Sequence, residues 1–201
     1  MFIWTNKAQQ FALILLIAGC QIDPGAFAAP GQTKAVAVLG GAMQVAAPAG
    51  YCVDTQSARQ QADGAVVLMG RCSGGSNTAP AVISVTIGVA GSAGIMADGG
   101  AALAAYFQTT NGRAALSRTG AANSVTIVQA ANSDGAYTLR IVEAGVGDYW
   151  RAIVGISGRL VTLSVQGPSG STLDPATGRK LLGASLSAMR RANPVRSADA
   201  L

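Results

Sequence analysis

Histidine is absent from the chain, and glutamate occurs once, as Glu143. Without an imidazole there is no Ser-His-Asp or Cys-His catalysis, no His-ligated zinc and no histidine pH switch. No Ser-x-x-Lys arrangement replaces the missing base. The glycines do not supply a phosphate cradle either: Gly88–Gly94 lacks the Gly-x-Gly opening, and no Gly-Lys-Ser/Thr triplet is present. No catalytic residue, metal site or cofactor is therefore expected, and the chain is read as not an enzyme. Charge is scarce at 11%, with 14 basic against 9 acidic residues, and the only lysines are Lys7, Lys34 and Lys180. Aromatic residues make up 5% of the chain and do not interleave with the cations, which argues against a nucleic-acid surface. No apolar run approaches the ~20 residues of a membrane-spanning helix. What is present is a 201-residue chain that is half hydrophobic by residue type, enough for one folded domain with its own core.

The first apolar run sets an address. Met1–Gln10 carries one cation, Lys7, and is followed by the nine apolar residues from Phe11 to Gly19, the form of a cleaved export signal. Ile17-Ala18-Gly19-Cys20 resembles the bacterial lipobox, which implies cleavage after residue 19 and lipidation of Cys20. Ala26-Phe27-Ala28 has the small-x-small form of an ordinary secretory site, so cleavage after residue 28 stays open. An acylated chain would sit on the periplasmic face of the outer membrane, because Gln21 replaces the aspartate that commonly retains lipoproteins at the inner membrane. The unacylated product would be periplasmic or secreted. Either route leaves Cys52 and Cys72 as the pair in the domain, and an oxidising compartment favours a disulfide between them over two packed thiols.

Residues 20–35 read as a flexible tether, 36–194 as one domain and 195–201 as a tail. Strands are predicted over Ala42–Ala47, Ala65–Met69 and the alternating Ala81–Val89. A helix capped by Asp98 carries Leu103, Tyr106, Phe107, Thr110 and Ala114 on one stripe. Four strands then follow across short turns, over Ser124–Ala130, Ala136–Ala144, Tyr149–Ile156 and Arg159–Gln166. Asp174-Pro175 opens a last helix. This order predicts the α+β class, an antiparallel sheet covered by helices.

Leu39-Gly40-Gly41-Ala42-Met43, Pro48-x-Gly50-Tyr51, Asp54, Arg59-Gln60 and Asp63 together resemble the opening motif of the PsbP-like superfamily. That superfamily includes photosystem extrinsic proteins, a Ran-binding nucleotide-release factor and bacterial envelope lipoproteins. The resemblance implies an α/β/α sandwich and an accessory role, in the envelope lipoprotein branch. The acidic position that follows the matched aspartate in the Ran-binding branch falls here on Ala65 and Val66, so GTPase binding is not implied.

Candidate contact residues are few. Asp134 and Asp148 are assigned to turns, and Asp98 and Asp174 to helix starts. Asp54 and Asp63, with Arg59 and Arg71, form either a partner or ligand surface or a salt-bridged loop tied by the cysteines. Trp150 is either a binding anchor or a residue at the edge of the core. Arg179, Lys180, Arg190 and Arg191 either meet anionic lipid or complement the helix dipole. The expectation is a non-catalytic cell-envelope module that binds an envelope protein. The alternative is a periplasmic carrier or sensor of a small ligand held near Leu103, Tyr106 and Phe107.

Overall fold

The computed structural model describes residues 32–73, 77–169 and 171–195. The leader, Cys20 and both cleavage sites lie outside the described residues, as does the tail from 196.

Among the described residues ten strands and three α-helices follow one another. β1 (Gln32–Thr33), β2 (Ala35–Val38), β3 (Met43–Ala46), β4 (Tyr51–Gln60), β5 (Ala65–Arg71) and β6 (Val82–Ala90) come first. α1 (Ala101–Gln108) and α2 (Thr110–Leu116) precede the meander β7 (Val125–Ser133), β8 (Ala136–Glu143), β9 (Gly147–Ile156) and β10 (Arg159–Gln166), and α3 (Pro175–Ala192) closes the domain. Eight strands form one antiparallel sheet in the order β1-β4-β5-β6-β10-β9-β8-β7, while β2 and β3 pair as a separate hairpin. The predicted α+β class is the observed one.

Period-two alternation divides the meander between two cores. Trp150, Ala152, Val154 and Ile156 of β9 face α3 and the β2–β3 hairpin, joined by Val67, Met69, Leu182 and Met189. Tyr149 and Ile153, with Tyr137, Leu139 and Ile141 of β8, face α1 and α2. The helices thus lie on both faces. α1 and α2 pack on the β7–β9 end of the sheet, leaving Val66 and Leu68 of β5 exposed on that face.

α3 forms where Asp174 and Pro175 predict. The Asp174 carboxylate accepts a hydrogen bond from Thr177 N at 2.8 Å, and proline occupies the first turn, where its missing N–H costs nothing. At the other end Asn193 locks the helix to β3: its Oδ1 accepts from Gln44 N at 2.9 Å and its Nδ2 donates to Gln44 O at 2.7 Å.

Three details differ from the sequence reading. The polar segment from Tyr51 is not a loop but the strand β4, paired with β5, with extra residues between Asp54 and Arg59. Residues 32–38, partly assigned to the tether, enter the fold as β1 and β2. The helix after Asp98 is two helices. Thr109 is extended between them and caps the second by accepting from Gly112 N at 3.0 Å. Gly112 packs so close to the first helix that a Cβ there would sit 2.0 Å from the Tyr106 carbonyl oxygen. Asp98 still serves the first start, accepting from Gly100 N and Ala102 N.

Candidate binding groove

β8 and β7 carry the sheet beyond the cover of α3. On the α3 side they present a shelf of Thr138, Arg140 and Val142 from β8 and of Ala131 and Ser133 from β7. Between this shelf and the helix lie two adjoining recesses of about 500 and 200 Å³, and both are lined by Trp150, Arg179 and Gly183.

The floor is Trp150, 5% exposed, with its indole Nε1 donating to Pro175 O at 2.9 Å. Trp150 therefore belongs to the core edge, and it also forms the base of the groove. The wall is one stripe of α3, Arg179, Gly183, Leu186 and Arg190, brought into line by steps of three and four residues. Arg179 places its guanidinium 6.0 Å from the Trp150 ring centre, within cation–π range. Arg190 donates to the Asp134 carbonyl at the β7–β8 turn, so a cation on this stripe spans the shelf to its far edge. Gly178 lets the first turn of the helix lie against Trp150, since a Cβ there would come within 2.8 Å of indole Cδ1.

Charge is unevenly used. Asp148, assigned to a turn from the sequence, lies in β9 and forms an ion pair with Arg140 at 2.5 Å, reinforced by Arg140 Nε at 3.1 and 3.2 Å. That hydrogen-bonded carboxylate holds the Arg140 guanidinium above its usual pKa. The hydrogen bonds from Thr177 hold Asp174 below the usual carboxylate range. Arg179 and Lys180, both exposed, have no ion-pair partner among the described residues. The four basic residues singled out in the sequence do not form one patch. Arg179 and Lys180 are eleven residues from Arg190 and Arg191, about 16 Å along a helix.

The second candidate cluster does not assemble. Asp54 accepts from Gln56 N at 3.0 Å, Arg59 donates to Gln56 O and Ala58 O, Asp63 offers its carbonyl to Arg159, and Arg71 donates to Thr78 O. None of the four is ion-paired among the described residues, so the salt-bridged loop is not found. β4 lies four strands from β9, about 19 Å across the sheet, so this cluster and Trp150 are separate surfaces. Cys52 and Cys72 are joined as a disulfide beside it, with Cα atoms 5.0 Å apart. Lys34 donates to Cys72 Sγ and to Tyr51 O, each at 3.0 Å. Of the matched motif residues, Gln60 accepts through Oε1 from Leu39 N at 2.6 Å and pins the turn of the β2–β3 hairpin.

Glu143, the single glutamate, has no role assigned from the sequence. It is 2% exposed and accepts from Ser117 Oγ at 3.0 Å, Arg118 N at 2.7 Å and Tyr149 Oη at 3.2 Å. It lies in step with Leu139 and Ile141 on the inward face of β8, and that parity was the available signal. Burial, aided by the Glu143 carboxylate, pushes the Tyr149 hydroxyl up to about 12. With every buried side-chain polar atom satisfied among the described residues, this cluster clamps α2 to the β8–β9 hairpin.

Leu103 and Phe107 are packed into the second core, and Tyr106 is 43% exposed. The space on which a small-ligand reading rests is filled at the first two. A larger recess of about 720 Å³ near Gln44, Ser157 and Asn193 is lined by no charged or aromatic side chain. Among the described residues no helix is long and apolar enough to cross a membrane.

No known family matches the sequence, and no curated protein matches it. Among solved structures the chain is similar to one titled "Protein Mog1 E65A mutant", at 13% identity and a TM-score of 0.45, over 83% of this chain and 97% of that one. A likeness at that level carries no argument about activity or partners, and the α+β class stands on the sheet order and the two cores.

Proposed function

We infer that the chain is a non-catalytic, protein-binding accessory module of the bacterial cell envelope, and that the groove between α3 and the β7–β8 shelf is its docking site. The observation that carries this reading is the pair of exposed, unpaired cations, Arg179 and Lys180, beside a rigid Trp150 floor. Aromatic and arginine side chains held in place before contact are the usual centres of protein interfaces. The leader supports export and the lipobox-like segment supports an anchor at Cys20, as in the envelope lipoprotein branch of the PsbP-like superfamily. The Cys52–Cys72 disulfide is compatible with an oxidising compartment.

The test is a photoreactive residue at Gly183, where an added side chain meets nothing within 4 Å, compared with one at Thr86 on the open sheet face. Irradiation of living cells should give a discrete crosslinked protein from position 183 and none from 86. Capture from 86 alone, or from neither, would refute the docking site.

A further inference from the structure

The two edges of the large sheet are treated differently. The β4 edge is covered by β1, whose Gln32 and Thr33 pair with Asp54 and Val53. The β7 edge has no strand beyond it among the described residues. Edges left open are ordinarily protected by charge, proline, brevity or a bulge. β7 is nine residues long and contains neither charge nor proline. Its one irregularity is a register shift between Ile127 and Gln129, which leaves Val128 unpaired and 50% exposed. Beyond it Gln129–Ser133 run in regular register against Arg140–Ala136, and all five are exposed.

This straight, open segment borders the groove. Gln129 lines the same recess as Arg179 and Lys180, and Ala131 and Ser133 line the recess shared by Arg179 and Leu186. A strand added outside β7 would lie about 4.8 Å further out, with alternate side chains over the shelf. Arg190 already reaches the β7–β8 turn from α3, so Arg179 and Lys180, both about three helical turns nearer the N-terminus, are long enough to meet a strand added there.

We propose that the groove binds an extended, acidic segment of an envelope protein, which pairs with Gln129–Ser133 of β7 as a ninth strand and directs carboxylates to Arg179 and Lys180. This rests on the docking site inferred above and adds its mode and the chemistry of its partner. Of the acids nearby, Asp148 is taken by Arg140, Asp174 by Thr177, and Asp134 sits at the far end of the shelf; the unpaired charge at the near end is positive. A second copy of the chain fits less well, because two β7 edges meeting about a twofold axis would bring two basic grooves together on molecules of net charge +5.

A display library of random nine-residue peptides selected on the purified chain provides the probe. Enriched peptides should carry net negative charge and lose at least tenfold in affinity against Arg179→Glu/Lys180→Glu. Methylating the peptide's backbone nitrogens at one alternating set of positions should abolish binding, and methylating the other set should leave it unchanged, because only one set faces β7. Equal effects of the two sets, or enrichment indifferent to the charge reversal, would overturn the proposal. Self-association of the chain in sedimentation would assign the edge to a second copy. Failure to enrich any peptide, together with sedimentation on phosphatidylglycerol vesicles that the charge reversal abolishes, would assign the cations to lipid. Crosslinking at position 183 with equal methylation effects would leave the docking site standing and remove only the strand pairing.

Discussion

Tyr149 donates its hydroxyl proton to Glu143 at 3.2 Å, and this bond joins the two strands of the β8–β9 hairpin to a carboxylate that also holds Ser117 and Arg118. Truncating Glu143 to alanine takes the acceptor from Arg118 N in a nearly dry site, and leaves Tyr149 only Leu116 O and Ser117 only its neighbouring hydroxyls. Glu143→Ala should therefore destabilise the domain by about 1.5–3 kcal/mol, the range for hydrogen bonds to a charged group, and Glu143→Gln by less, because the amide keeps one acceptor. Urea unfolding of the two variants and wild type provides the comparison.

The same pair makes an alkaline prediction. A tyrosine is neutral when protonated, and the folded Tyr149 keeps its proton up to about 12 whereas the unfolded chain releases it near 10. The folded state then binds more protons between those values, so stability is fully present below pH 10 and falls as pH rises toward 12. Tyr51 and Tyr137, also raised by burial, act in the same direction. Thermal melts from pH 9 to 12 should show this decline, and Tyr149→Phe should flatten it without abolishing it.

Much of this architecture is legible in the sequence, and the exceptions have physical causes. Asp174-Pro175 and the spacing of Leu182, Ser185 and Met189 announce α3 because capping and helical period agree. The meander is legible because four strand-like runs are separated by short turns that each carry glycine. β4 is not, because Asp54–Gln60 lies near the sheet edge with an open face and extra residues at mid-strand, so no apolar period forms. The break at Thr109 depends on Gly112 meeting a backbone carbonyl, and the clamp at Glu143 on residues 25 and 26 positions away. The Trp150 half of the groove was visible, but its shelf requires knowing where α3 stops covering the sheet.

Gly178 gives a test with an unusual sign. In an exposed helix interior Gly→Ala adds up to about 1 kcal/mol of stability. Here the new methyl would press within 2.8 Å of the Trp150 ring, so Gly178→Ala should destabilise by about 1–3 kcal/mol through overpacking. Gly183→Ala, which meets nothing within 4 Å, should follow the ordinary rule. Thermal melts of the two single variants decide it.

The disulfide closes a separation of 20 residues that includes the polar half of β4. Cys52→Ser/Cys72→Ser should lower stability by about 2–4 kcal/mol through the freedom returned to the unfolded chain, while the two cores stay assembled. Thiol labelling of the unfolded, unreduced protein should find both positions blocked. Free thiols, or identical melts, would show that the pair is packing alone.

The most direct test sets the two candidate surfaces against each other in the same cells. Arg179→Glu/Lys180→Glu reverses the groove, and Arg59→Glu/Arg71→Glu reverses the β4–β5 hairpin, whose first strand lies about 19 Å from β9. The quantity measured is the amount of the protein captured from position 183 that co-purifies with each variant, with melts confirming that both fold. Reversal in the groove should reduce recovery at least tenfold, equivalent to about 1.4 kcal/mol, and reversal in the hairpin should leave it unchanged. Loss on the hairpin reversal with full recovery on the groove reversal would contradict a docking site at Trp150, Arg179 and Lys180.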